Sequence, residues 1–150
     1  GGAPGYLVLV IRNDDVRLIT AGLHALGDLA RSDESCLAIA RCGAVEPLLD
    51  VAKTANTERK RLALAVLANL AYAADEIRAK VLKWGGISIF IQGLLTEHLP
   101  VQKQAVRVLS HLMCSRDARV EFMKHRGLAA LRTVLVEHPS DAARDMAAQL

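Results

Sequence analysis

Apolar residues recur at helical spacing along most of the chain, and the stripes they form return in register. One set reads Leu23, Leu26 and Leu29, then Leu64, Leu67 and Leu70, then Val106, Leu109 and Leu112. A second set reads Val45, Leu48, Leu49 and Ala52, then Ile87, Phe90, Ile91 and Leu94. Leu128, Leu131 and Leu135 keep most of that second pattern, with Arg132 in place of one apolar residue. Gly1, Gly43, Gly85 and Arg126-Gly127 open the segments that carry it, at intervals of 42, 42 and 41 residues. A period of that length with helical patterning predicts an all-α solenoid, in which each unit buries its apolar face by stacking on the next.

Punctuation divides each unit into three helices. Ser32, Asp33 and Glu34 can cap a short first helix over Cys36–Cys42, and Asp75-Glu76 do the same for Ile77–Trp84; the third copy is Asp117–His125. Glycine ends each of these and a second helix follows. The third helix is the longest, about Asp14–Arg31, Thr57–Tyr72 and Pro100–Cys114, with Pro100 in the first turn where its missing N–H is harmless. Gly22, Ala63 and Ala105 are small where neighbouring helices must approach closely. The division is then a partial unit 1–31, units 32–73 and 74–115, and a partial unit 116–150, together one segment. Gly1–Ile11 reads as a second helix without its first, and its apolar run Tyr6–Ile11 suits a fragment of a longer array.

Composition fits this picture. Hydrophobic residues make up 52% of the chain and aromatics only 3%, which favours closely stacked helices over strands. A net charge of +3 is too small to argue for nucleic acid without a local concentration of cations. Three cysteines, Cys36, Cys42 and Cys114, form no CxxC or zinc spacing, and an odd number points to a reduced intracellular setting, cytoplasmic or nuclear. No apolar run approaches the roughly 20 residues that span a bilayer.

Catalytic and cofactor chemistry finds little support. His111 and Cys114 are helical neighbours, yet nothing supplies an orienting third group or an oxyanion site. His24 and Asp28 could share a surface hydrogen bond, but two ligands do not hold a metal. Gly1–Gly5 lacks the preceding strand and the Lys-Ser/Thr of a phosphate loop. Trp84, beside Gly85, reads as a packing residue. The expectation is therefore no enzyme, no cofactor and no metal.

The segment Ala63-Leu64-Ala65-Val66-Leu67-Ala68-Asn69-Leu70-Ala71, followed by Gly85-Gly86-Ile87, resembles the armadillo repeat. Ala21 to Ala30 with Gly43-Ala44-Val45 is a second copy, and the resemblance covers essentially the whole chain. It implies a right-handed superhelix whose third helices line a concave groove, where members of the family hold an extended peptide. An asparagine on the third helix typically holds the peptide backbone. Asn69 matches that position, with Asp28 and His111 in the flanking copies. The tryptophan that accompanies it in importin-type members is replaced by His24, Ala65 and Arg107, which argues against recognition of nuclear localisation signals.

Helix geometry places Val66, Ala65, Arg61 and Tyr72 on the face of Asn69. The equivalent neighbours are His24, Thr20 and Arg31 around Asp28, and Arg107, Lys103 and Cys114 around His111. Arg17 extends the first row. The candidate groove is thus Asn69, Asp28, His111, His24, Arg31, Arg61, Tyr72, Lys103 and Arg107. It is more basic than the chain as a whole, and the expected partner is a protein segment that is extended and acidic. Two other readings use the same face: nucleic acid along the basic groove, for which only Tyr72 could stack a base, and a small anionic metabolite near Arg107 and Lys103.

Overall fold

Four side-chain caps set the rhythm of the fold. Ser32 Oγ accepts from the amide of Ser35 at 3.1 Å, Asn56 Oδ1 from Arg59 at 3.0 Å, Ser115 Oγ from Ala118 at 3.3 Å and Ser140 Oγ from Ala143 at 3.1 Å. Each satisfies a donor that has no partner in the first helical turn. The computed structural model describes residues 2–150, which form helices joined by short turns and, among the described residues, no strand. Gly1, read as the opening residue of the first segment, lies outside the described residues.

The first partial unit holds α1 (Gly2–Ile11) and α2 (Val16–Leu29). Next come α3 (Asp33–Arg41), α4 (Val45–Ala52) and α5 (Thr57–Ala73), then α6 (Asp75–Lys83), α7 (Gly86–Leu94) and α8 (Leu99–Leu112). The chain closes with α9 (Arg116–Lys124), α10 (Gly127–Glu137) and α11 (Asp141–Ala148). The third helices α2, α5, α8 and the shorter α11 stack in sequence, with the first and second helices packed behind them. One continuous core runs through every unit; Leu26, Leu67 and Leu109 are fully buried in it, as are Phe90 and Phe122.

The turn between first and second helices repeats a left-handed residue. Gly43 has φ +85° and Gly85 φ +75°, where glycine carries no steric cost. Arg126 holds the same register at φ +63°, the single non-glycine residue with positive φ among those described. Gly22 answers a different need: an added Cβ would lie 2.9 Å from Val10 Cγ1, so α1 and α2 can meet only if that position stays bare.

Several sequence expectations are corrected. Asp75 and Glu76 do not cap α6 but form its first turn; the cap residue is Ala74, without a side-chain bond, and the two carboxylates act on the positive helix end instead. Helix α8 begins at Leu99, one residue before Pro100, with His98 Nδ1 accepting from Val101 N–H at 3.4 Å. Leu29 is 39% exposed because it closes the last turn of α2, where the stripe runs past the edge of the core. Leu128 is exposed as well, and Ala130, Leu131 and Val134 supply the buried face of α10. Trp84 is 48% exposed, its ring under Lys83 Nζ at 5.9 Å, so it is a surface residue and not a packing one.

Candidate functional site

Two arginines fix the ends of the third helices, and the sequence reading did not single them out. Arg78 on α6 donates through Nη1 to the carbonyl of Ala71 at 2.6 Å, while its Nε donates to Asp75 Oδ1 at 3.2 Å. Arg119 on α9 donates through Nη1 to the carbonyl of Met113, also at 2.6 Å. Both take up carbonyls that a helix terminus leaves without partners, and a cation there matches the negative end of the helix. The available signal was their recurrence 41 residues apart.

With the third helices held in this way, Asn69 and Arg107 meet across the seam between α5 and α8. Both are half-buried. Arg107 Nη2 donates to Asn69 Oδ1, and Arg107 Nη1 donates to Gln104 Oε1 at 2.9 Å. The Asn69 amide therefore has its acceptor committed to the adjoining unit, while Nδ2 has no hydrogen-bond partner among the described residues. Beside this pair the rings of Tyr72 and His111 lie 5.1 Å apart, tilted by 60°. Tyr72 is 70% exposed. Burial, and then the charges of Arg107 and Arg78, hold the His111 imidazole below its ordinary range.

The remaining candidates do not all join this cluster. Asp28 pairs with Arg31 at 3.7 Å, and Arg31 Nε donates to the Asp28 carbonyl at 3.0 Å; the expected bond from His24 to Asp28 is not formed, because the arginine one turn on takes that carboxylate. His24 is exposed on α2. Arg61 is half-buried and Lys103 exposed, and neither forms an ion pair among the described residues. Cys114 Sγ donates to the carbonyl of His111 at 3.3 Å, so the thiol is directed to backbone and not to the ring. Among the described residues no group of three or more His, Cys, Asp or Glu side chains could hold a metal ion.

Two hollows flank the Asn69–Arg107 pair. One, of about 450 Å³, lies between α2 and α5 and is bordered by Arg31, Asn69 and Tyr72 over Gly27 and Cys36. The Cys36 thiol is buried and donates to the Asn69 carbonyl at 3.7 Å; burial pushes it above the usual thiol range. The second, of about 430 Å³, lies between α8, α10 and the start of α11 and has Arg107 and Lys103 on its border.

No family model matches the chain, and no curated protein does. Solved structures do. The chain is similar to the crystal structure of an engineered protein at a TM-score of 0.90 and 25% identity, covering 99% of this chain and 60% of that one. It is similar to a designed armadillo repeat protein in complex with the peptide (KR)4 at a TM-score of 0.87 and 20% identity, covering 99% of this chain and 63% of that one. A computationally designed armadillo repeat protein for modular peptide recognition superposes at 0.89 with 20% identity, over 97% of this chain and 62% of the other. The chain thus spans about three fifths of the length of these neighbours. The stacked three-helix units, the left-handed turn in each and these superpositions agree: the chain folds as an armadillo-type repeat solenoid.

Proposed function

We propose that the chain is a protein-interaction scaffold that holds an extended, acidic peptide segment along the row of third helices. The observation that carries this reading is the pair on the α5–α8 seam, where Asn69, its Nδ2 without a partner among the described residues, meets Arg107, with Arg61 two turns back on α5 and Lys103 one turn back on α8. An amide N–H donates to a peptide carbonyl whatever the side chain, and such bonds contribute about 0.5–1.5 kcal/mol each. Affinity then comes from several contacts along the row, and sign selectivity from the cations. Arg31, just past the end of α2, extends the charge, reduced by its own pairing with Asp28. The designed neighbour bound to (KR)4 supports the mode of binding; the cationic side chains here favour the opposite ligand charge. The free thiols of Cys36, Cys42 and Cys114 suit a reducing intracellular compartment, and no helix among the described residues is long and apolar enough to cross a membrane.

The test is charge reversal at two candidate groove cations that form no ion pair among the described residues, Arg61→Glu with Lys103→Glu. By fluorescence polarisation the wild type should bind a labelled poly-Asp/Glu peptide more tightly than (KR)4, and the double variant should invert that order with its helical signal intact. A wild type that prefers (KR)4, or a variant with unchanged selectivity, would refute the acidic ligand.

A further inference from the structure

The hollow between α8, α10 and α11 has a chemistry that the groove reading does not use. Its walls are Leu99, Val106, Val134 and Pro139, with Lys103 and Arg107 at the border. Its volume of about 430 Å³ is within the range of pockets that enclose a ligand group, which are largely apolar with a few convergent polar atoms. Gln102 supplies such an atom. It is the one buried polar or charged residue among those described, only 6% exposed. Its Nε2 donates to the carbonyl of Leu94 at 3.1 Å and faces that of Thr96 at 3.5 Å, which fixes the amide. Its Oε1 has no donor among the described residues, although the side chain lines the hollow. The one buried side-chain polar atom without a partner among the described residues is Thr54 Oγ1, so Gln102 Oε1 stays open to solvent, and a ligand N–H or O–H can take the place of water on it.

We propose that this hollow is a specificity pocket for an aromatic side chain that carries an N–H or O–H, tryptophan or tyrosine, within the acidic peptide. The ring lies against the aliphatic walls, its polar hydrogen is donated to Gln102 Oε1, and flanking carboxylates meet Lys103 and Arg107. Such side chains combine an apolar body with one polar point, as this site requires. The proposal rests on the groove reading through Arg107, which serves both Asn69 and the pocket border.

The experiment measures binding of three fluorescein-labelled acidic dodecapeptides to the 150-residue chain, with tryptophan, benzothienylalanine or alanine at the centre. The tryptophan peptide should bind at least tenfold more tightly than the alanine peptide. Benzothienylalanine keeps the shape without the N–H and should lose about fivefold of that gain. Ala142→Trp, which plugs the pocket from an exposed position, should remove the preference and leave the alanine peptide unaffected. Equal binding of the tryptophan and alanine peptides, still weakened by Arg61→Glu with Lys103→Glu, would overturn the pocket and leave the groove standing. No binding of any acidic peptide would overturn both. Competition by free N-acetyltryptophanamide as strong as by the peptide would give the hollow to a small aromatic ligand and overturn the peptide assignment.

Discussion

The bond between Asn69 and Arg107 joins consecutive units 38 residues apart in sequence, and its strength can be isolated by a double-mutant cycle. A hydrogen bond to a charged group contributes about 1.5–3 kcal/mol when shielded from water. Both partners are half-exposed, so solvent competition lowers the expected coupling to about 1 kcal/mol. Asn69→Ala leaves Arg107 its second bond, to Gln104 Oε1 at 2.9 Å, and so strands no charge without a partner. Arg107→Ala frees Asn69 Oδ1 towards solvent. Each single change should cost about 1 kcal/mol, and the double change should cost less than their sum by the coupling. Urea unfolding followed by circular dichroism reads this directly; in a chain of this length about 1 kcal/mol is a shift of roughly 2–4 °C in Tm. Single effects that simply add, within about 0.3 kcal/mol, would refute an energetic tie across the seam.

Two further outcomes follow from the backbone and from burial. Arg126→Gly relieves a left-handed residue at φ +63°, which costs a non-glycine residue about 1–2 kcal/mol, against a loss of about 0.5–1 kcal/mol in chain entropy. A rise of one or two degrees in Tm is expected, and a fall would show that the arginine side chain contributes more than the turn costs. His111 is held below its ordinary value of 6.5, first by burial and then by Arg107 and Arg78, so the unfolded chain binds a proton more readily than the folded one. Stability is therefore complete above that value and declines as pH falls through and below it. His111→Gln should flatten the decline of Tm between pH 7 and pH 5, and an unchanged slope would remove His111 from the account.

Much of the architecture is legible in the residues because helical stripes and turns are local. Leu64, Leu67 and Leu70 share a face whatever lies beyond them, and all three are buried in α5. The turn register was likewise readable from Gly43 and Gly85, and it carried through to Arg126, where the residue type gave no hint of left-handed backbone. Local pattern fails at element ends. Leu29 continues its stripe in sequence but lies past the edge of the core, and Leu128 faces solvent at the start of α10. Polar partners were harder still. Arg78 and Arg119 bind carbonyls of the preceding third helix, and Gln102 binds the carbonyl at the end of α7; each partner comes within reach only once helices dock.

The sequence by itself determined the period, the helices, the turn positions and the stack, since these depend on residues three, four and about 42 positions apart. The tertiary structure alone decided that Asn69 gives its acceptor to Arg107, that Tyr72 lies against His111 and that a hollow opens over Gln102. Hydrophobic burial tolerates small shifts of one helix against another, whereas a hydrogen bond is made or lost within a few tenths of an ångström. For that reason the frame can be read along the chain, and the groove's chemistry only across it.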